Sequence, residues 1–510
     1  MSMVTTQPLA VVRSVAPSPR PLIGAAAVVG AAAAVISAAG SWIPSLWGDE
    51  AASLLSARRP LGSLFAMLTH VDAVHGLSYI ALHFWIRVFG SSAFSIRVPS
   101  AVAIGICAAA VVVLCGRFGS LRFAVVAGAV AAVLPRLTYA GGEARAYAWD
   151  AAIAAVLCVV VAEILVRDRP SRRWWIAYGA VLAVGVYTFL YLALMAAAVG
   201  VAVLLTRREL LRSWAVASAA GIAAASPVLV LGLLERNQIS YLAHRDEATP
   251  SSLLVSMWFG SIPFAVVAWT LIVVAGVGWA VDVRQALRLN RPLPRLESLA
   301  FAWLIVPVGM LLLMNIVSPG FTARYGTFAA PAAAVLIALG VRRLVRATRR
   351  AGVTRPWVAV AAAAALGATV IPVWVAQRQP YAQNQSDWNQ IAAVIHAHAR
   401  RGDAIVFDEG VRPSRRTRLA MDTDPQPFAA VRDVTLAVPY ARESTWHSTA
   451  YTVAQAAARG RFDGVGRVWV VEYSTGGLVD TWGITDLRAL GYRRTETLVE
   501  HRSVIALYER

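Results

Sequence analysis

Runs such as Ala25–Ala39 and Ala359–Val370 are made almost wholly of Ala, Val, Leu and Ile, and stretches of this kind recur along most of the chain. A crossing of the bilayer core needs about 20 such residues. A backbone in hydrocarbon must satisfy its own hydrogen bonds, which leaves helices or closed barrels. Eleven windows qualify as helices: 22–42, 97–115, 121–138, 146–165, 174–189, 190–206, 211–233, 259–281, 298–317, 325–341 and 357–376. No small-residue cleavage site followed by a polar segment ends the first window, so it reads as a retained anchor. The expected fold is an all-α polytopic membrane protein of about eleven helices with a C-terminal extracytoplasmic α/β domain.

Charge sets the orientation. The net charge is +19, and every basic residue is arginine. Within the first 377 residues, twenty-one arginines fall in the N-terminal tail and in the connections 116–122, 166–173, 207–212, 283–297 and 342–355, whereas nine fall on the other side. That bias is the positive-inside pattern. It predicts a cytoplasmic tail 1–21, a membrane module 22–377 with a first outer loop 43–95, an outer domain 378–510, and residence in the cell membrane. It also accounts for the charge without nucleic acid, which would need a basic face on a folded surface. Residues 76–90 look helical but are too short to span. Counting them as a span would invert every later loop, so they are expected to form an interfacial or re-entrant helix. Residues 174–206 must hold two helices that turn near Tyr187–Tyr191. Cys107, Cys115 and Cys158 lie within apolar windows and read as buried, inert side chains. Beyond Gln377 charged residues rise, with a helical stretch Trp388–Arg401 and strand-like Ala404–Phe407, Arg467–Glu472 and Ser503–Tyr508.

Acidic groups beside a bilayer are costly and tend to be functional. On the predicted outer side these are Asp49, Glu50, Asp72, Glu143, Asp150, Glu235, Asp246 and Glu247. Asp49-Glu50 directly follows the first span. Asp49 is either a general base or the N-cap of a helix Glu50–Ala57. In Glu143-Ala-Arg145-Ala-Tyr147, Arg145 either clamps a phosphate, pairs locally with Glu143, or snorkels. Arg324, in Phe321-Thr-Ala-Arg324-Tyr325, has no acidic residue near it in sequence, which invites an anionic partner. His70-Val-Asp72-Ala-Val-His75 offers metal-ligand types without a defined spacing, so a divalent metal stays open beside a polar, acceptor-binding use of Asp72 and His75. Tyr139 and Tyr191 read as boundary aromatics.

Taken in order, these pieces resemble the GT-C class of membrane glycosyltransferases that use polyprenyl-phosphate sugars. The resembled branch holds protein O-mannosyltransferases and the bacterial transferase of aminoarabinose to lipid A. The pieces that carry the likeness are Asp49-Glu50; His75-Gly76-Leu77-Ser78-Tyr79 through Phe89-Gly90; Arg97-Val98-Pro99-Ser100; Gly142-Glu143-Ala144-Arg145-Ala146-Tyr147; and Arg324-Tyr325. They cover roughly residues 20–345. His75-Gly76 stands where that branch has Pro-Pro, and Gly142 where it often has Gln. The lysine-free composition and the Asp-Ala-Val-His-Gly variant are most similar to actinobacterial cell-envelope transferases. The resemblance implies a decaprenyl-phosphate mannose or arabinose donor, an envelope glycan, lipoglycan or protein acceptor, and surrounding membrane lipids. It further implies Asp49 as base with Glu50 orienting it. Arg145 and Arg324, with Glu143 and Tyr325, would hold the donor phosphate. Asp72, His75 and Tyr147 would bind the acceptor, with Trp388, Trp446 and Trp482 available to stack on sugars unless they are core. Two other classes remain open. A lipid-linked-sugar flippase would show charges in mid-span, broken helices and repeats; a silent envelope scaffold would need none of these residues.

Overall fold

The computed structural model describes residues 17–235, 247–350, 357–474 and 482–510. Asp246 and most of the N-terminal tail fall outside them. The membrane part consists of helices α1 (Pro19–Ala38), α2 (Gly48–Arg58), α3 (Leu61–Leu68), α4 (Gly76–Phe89), α5 (Ala93–Gly116), α6 (Leu121–Val133), α7 (Pro135–Gly141), α8 (Tyr147–Val166), α9 (Arg172–Thr188), α10 (Leu194–Thr206), α11 (Leu211–Ala224), α12 (Ser226–Leu234), α13 (Ile262–Arg288), α14 (Arg295–Val317), α15 (Ala330–Arg350) and α16 (Trp357–Ala376).

By length and apolarity, six of the described helices can each cross a membrane, and eight spans result if two bent pairs are each counted as one. The protein is a multi-pass membrane protein, with fewer full-length spans than the eleven windows suggested. Prolines account for part of the difference. The window 121–138 breaks between α6 and α7 with a 59° bend. Leu134, which precedes Pro135, is extended (φ −60°, ψ 123°), as the proline ring demands of its neighbour. The window 211–233 likewise bends by 58° ahead of Pro227. Phe189, at φ −158° and ψ 118°, separates α9 from the 3₁₀ turn that opens α10. These two helices are each shorter than a full span.

Without a hydrophobic force between helices in lipid, small residues that let backbones approach decide the packing. Gly30 of α1 and Gly105 of α5 show this. A Cβ on either would lie within 2.8 Å of the other's carbonyl oxygen. Gly221 brings α11 against α9, since a Cβ there would lie 2.7 Å from the Gly179 carbonyl oxygen. At the arginine-rich end, Arg117 pairs with Glu163 at 2.6 Å and Arg342 with Glu297 at 3.1 Å.

At the opposite end, α2, α3 and α4 lie between α1 and α5. Gly76, Tyr79 and His83 form the buried face of α4, while Leu77, Phe84 and Val88 are exposed. The segment expected to be interfacial is thus an amphipathic 14-residue helix. One interaction fixes this loop. Arg97, from inside α5, donates to both Glu50 oxygens at 2.7 and 2.6 Å and to the carbonyls of Ser41, Pro44 and Ser45. Neither side chain is exposed. Glu50 also accepts the Ala144 N–H at 2.8 Å, tying α2 to the α7–α8 turn.

The C-terminal region starts with α17 (Trp388–His398) and contains β1 (Asp403–Phe407), α18 (Arg418–Thr423), β2 (Val431–Asp433), β3 (Leu436–Val438), β4 (Thr449–Ala450), α19 (Val453–Ala457), β5 (Arg467–Tyr473), α20 (Ile484–Ala489), β6 (Arg493–Val499) and β7 (Ser503–Glu509). Five strands form one sheet in the order β2-β1-β5-β7-β6, with β1 parallel to β2 and β5, and β7 antiparallel to β5 and β6. Alternation along the strands splits the core in two. Val468, Val470, Ala404 and Val406 pack with α19 and α20. Trp469, Val471, Ile405 and Phe407 share a cluster with Ile391 and Ile395 of α17 and with Leu46, Ala51, Leu54 and Leu55 around α2. The sheet is therefore seated on the helix that follows the first span. Gly48 permits the seat, because a Cβ there would lie 2.3 Å from the Ser414 carbonyl oxygen. Trp388 belongs to this core, and Trp446 packs against it and the α3–α4 cluster. Trp482 is partly buried against the other face of the sheet. These packing roles count against stacking on sugars.

Breaking a buried pair strands a charge, at about 3–5 kcal/mol. Arg97→Met is expected to lower the thermal unfolding midpoint in detergent sharply, and Arg97→Met with Glu50→Leu to recover part of the loss. An unchanged midpoint in Arg97→Met would show that the pair does not hold the loop.

Candidate active site

Asp49 occupies the first turn of α2. The helix begins at Gly48 and its N-cap is Trp47, in extended conformation. This corrects the capping alternative: Asp49 does not cap, and its carboxylate is turned elsewhere. Asp49 Oδ2 accepts from Arg324 Nη1 at 2.6 Å, with each side chain 20% exposed. Arg324, without an acidic neighbour in sequence, thus has one in space, 275 residues away.

Arg145 reaches the same residue from the α7–α8 turn. Its Nη1 donates to the Asp49 carbonyl oxygen at 3.3 Å and to Ser53 Oγ at 3.2 Å. Its Nη2 lies 3.1 Å from His75 Nε2. A guanidinium only donates, so His75 accepts at Nε2 and carries its proton on Nδ1. Desolvation, then Arg145 and Arg324, hold the His75 imidazole well below its usual range, which keeps it neutral and able to accept. The local Glu143–Arg145 alternative is confined to the backbone, where the Arg145 N–H donates to the Glu143 carbonyl at 2.9 Å. Burial, with Glu50 nearby, pushes the Glu143 carboxyl up to about 7.

Around this centre the expected residues separate by role. Glu50 is committed to Arg97 and lies behind Asp49. Asp72 Oδ2 accepts the Tyr79 hydroxyl at 3.0 Å, and desolvation raises its carboxyl while Arg145 and Tyr79 hold it down. Asp72 is itself left-handed, at φ 59°, a conformation aspartate tolerates better than most residues. His70 is turned away, with Nδ1 3.0 Å from the Ala66 carbonyl. His70, Asp72 and His75 therefore do not converge as metal ligands, and no group of three His, Cys, Asp or Glu does so among the described residues. Tyr147 is buried beneath Arg324, whose guanidinium carbon lies 5.9 Å from its ring centre and 5.5 Å from that of Trp47. Tyr325 packs at 5.2 Å on Tyr191 and at 5.7 Å on Phe189.

Four residues absent from the sequence-derived site join it here: Ser53, Arg97, Arg136 and Tyr191. Arg136 donates from Nε to Thr327 Oγ1 at 2.8 Å, next to the Arg324 turn. For Arg97 and Arg136 the signal was present, since an arginine within or bordering an apolar window needs a partner. Tyr191 was assigned to the boundary, and only its contact with Tyr325 reveals its place. Tyr139 donates to Gln383 at 2.8 Å and serves the link to the C-terminal region.

The profile of the family described as dolichyl-phosphate-mannose-protein mannosyltransferase matches residues 77–231. No curated protein sequence matches the chain. Among solved structures it is similar to ArnT from Cupriavidus metallidurans bound to undecaprenyl phosphate, at 14% identity and a TM-score of 0.55, covering 94% of this chain and 97% of that one. It is also similar to the arabinofuranosyltransferase AftD from Mycobacteria, at 17% identity and a TM-score of 0.52, covering 97% of this chain but 40% of AftD. Residues 77–231 thus resemble the dolichyl-phosphate-mannose-protein mannosyltransferase family, and the chain as a whole shares the fold of ArnT and AftD.

Proposed function

We propose that this protein transfers a sugar, mannose in preference to arabinose, from a polyprenyl-phosphate donor to a hydroxyl of a cell-envelope glycan, lipoglycan or protein. The reaction takes place on the outer face of the cell membrane, with the N-terminus cytoplasmic and the C-terminal region outside. The observation that carries this reading is the meeting of two arginines on one carboxylate residue: Arg324 on the Asp49 side chain and Arg145 on its carbonyl. The undecaprenyl phosphate bound to the similarly folded ArnT supports the donor class.

The chemistry is a single displacement with inversion. Asp49 takes the proton of the acceptor hydroxyl as its oxygen attacks the anomeric carbon from the side opposite the phosphate. The anomeric carbon–oxygen bond breaks, and polyprenyl phosphate leaves with a second negative charge. Arg145 and Arg324 are the donors placed to meet that charge, and preorganised donors of this kind are often the largest catalytic contribution. Arg324 is neutralised by Asp49. An arriving phosphate competes for the guanidinium and frees the carboxylate for the acceptor. Ser53 and His75 keep Arg145 oriented, Glu50 holds the turn that presents Asp49, and Asp72 steadies the His75 turn through Tyr79. Glu143, Tyr147 and Tyr325 line the arginine side. A flippase would also hold lipid phosphate, and two of its spans would be broken as α6–α7 and α11–α12 are, but it has no use for a carboxylate against the phosphate-binding arginine.

Asp49→Asn should bind donor yet turn over at least about 10²-fold more slowly, the low end for loss of a general base. Near-normal transfer by the purified variant would move the base elsewhere. Removal of either arginine deletes a charge-assisted contact worth roughly 1.5–3 kcal/mol, hence a ten- to hundredfold loss in donor use. Arg145→Lys and Arg324→Lys should rescue poorly, because an ammonium cannot reproduce the planar fork. Transfer from a synthetic polyprenyl-phosphate sugar measures both, and full activity in both lysine variants would sink the phosphate clamp.

A further inference from the structure

A cavity of about 230 Å³ opens at the far end of α2, lined by Ala57, Arg58, His83, Ile86, Arg87, Gly90 and Ser91. Asp49 and Arg58 are nine residues apart on one helix, so the cavity lies roughly 14 Å from the catalytic carboxylate at 1.5 Å per residue. It is a separate site.

Its chemistry is specific. Two arginines line it and no carboxylate does. Arg58 is held in place by donating to the Ser91 hydroxyl at 2.9 Å and to the Asp422 carbonyl at 3.0 Å. Arg87 is exposed and makes no hydrogen bond or ion pair among the described residues. His83 is buried, with Nδ1 2.7 Å from the Ala57 carbonyl. That contact puts a proton on Nδ1, and the buried Nε2 is left without any hydrogen-bond partner. An unpartnered buried acceptor beside two cations calls for a ligand that carries both an anion and a hydroxyl. The helix that carries His83 and Arg87 supplies a third clue. Leu77, Phe84 and Val88 form one exposed stripe on α4, at 42%, 53% and 74%, and the Phe84 ring lies edge-on to His83 at 5.4 Å. A large exposed apolar stripe on an amphipathic helix lies against lipid.

We propose that this cavity binds the headgroup of an anionic, hydroxyl-bearing phospholipid. The phosphodiester sits between Arg58 and Arg87, a headgroup hydroxyl donates to His83 Nε2, and the acyl chains follow the α4 stripe. The bound lipid would hold α4 at the membrane surface beside the catalytic loop.

The test uses the full chain in nanodiscs of phosphatidylcholine doped with either phosphatidylglycerol or phosphatidylmethanol. These two lipids share a charge and differ in headgroup hydroxyls. Lipid retained per chain is read by native mass spectrometry. Wild type should keep one phosphatidylglycerol in preference to phosphatidylcholine, and less phosphatidylmethanol. Arg87→Glu should lower that retention roughly tenfold, with Arg87→Gln intermediate. Both are surface changes whose folding is checked by an unchanged thermal midpoint. His83→Phe should abolish the preference for phosphatidylglycerol over phosphatidylmethanol. Equal retention of phosphatidylcholine and phosphatidylglycerol by wild type, or full retention in Arg87→Glu, would overturn the site. Displacement of the lipid by soluble glycerol phosphate at comparable concentration would show a site for free phosphate esters and overturn the lipid assignment. No step depends on turnover, so the result stands apart from the glycosyltransferase reading.

Discussion

A fully buried charge pair organises this protein's functional end. Arg97 enters from a membrane-spanning helix and saturates its guanidinium on Glu50 and on carbonyls of the segment leaving α1. Such a pair adds little net stability over an apolar replacement but punishes any arrangement that separates it. Only one placement of α2 satisfies Arg97, and that placement sets the direction of Asp49, the adjacent residue. The Ala144 N–H on the same carboxylate brings in the turn that bears Arg145. Three sequence-distant segments are thus fixed relative to one another by groups with no alternative partner in a low-dielectric setting.

The Asp49–Arg324 pair, to which the proposed mechanism gives the catalytic role, differs in kind. Asp49 and Arg324 are each partly exposed, so both can be reached, and their contact can be exchanged for another. A structure that wanted this pair only for stability would bury it, as it buries Arg97–Glu50. Partial exposure leaves the contact open to exchange, as the proposed mechanism requires. Tyr147 and Trp47 flank the guanidinium and hold it over their ring faces, which fixes Arg324 by contacts other than its carboxylate partner.

Much of the helical fold could be read from the chain because apolar composition and arginine placement act locally. Each window needs no knowledge of its neighbours to be recognised as lipid-compatible. The misreadings fall where a single residue overrides composition: Pro135 and Pro227 break windows that looked continuous, whereas the turn expected near Tyr187–Tyr191 falls at Phe189. The site was legible as a set of residues but not as an arrangement. Asp49, Arg145 and Arg324 stand out because charge beside lipid is expensive, yet their pairing depends on contacts across 96 and 275 positions. The same gap hid the part played by Arg97. A local reading of Arg-Val-Pro-Ser shows a motif, whereas its function lies in Glu50, 47 positions earlier.

One short helix therefore carries several demands at once. The first turn of α2 presents Asp49, its inner face carries Glu50, its side packs Ala51, Leu54 and Leu55 against the C-terminal sheet, and its last residue, Arg58, reaches Ser91 beyond α4. Eleven residues leave almost no position free, which explains why nearly all of them are buried in a loop outside the long spans. The arrangement also couples the parts. A shift of the C-terminal region presses on Gly48 through Ser414, where a Cβ has no room. A shift of α4 pulls on Arg58. Either displacement moves Asp49 relative to Arg145 and Arg324, which are rooted in other helices. Misplacement of reacting groups by about 1 Å can cost 10²-fold in rate, so under the proposed mechanism the rigidity of this helix would pass a displacement of either neighbour on to turnover.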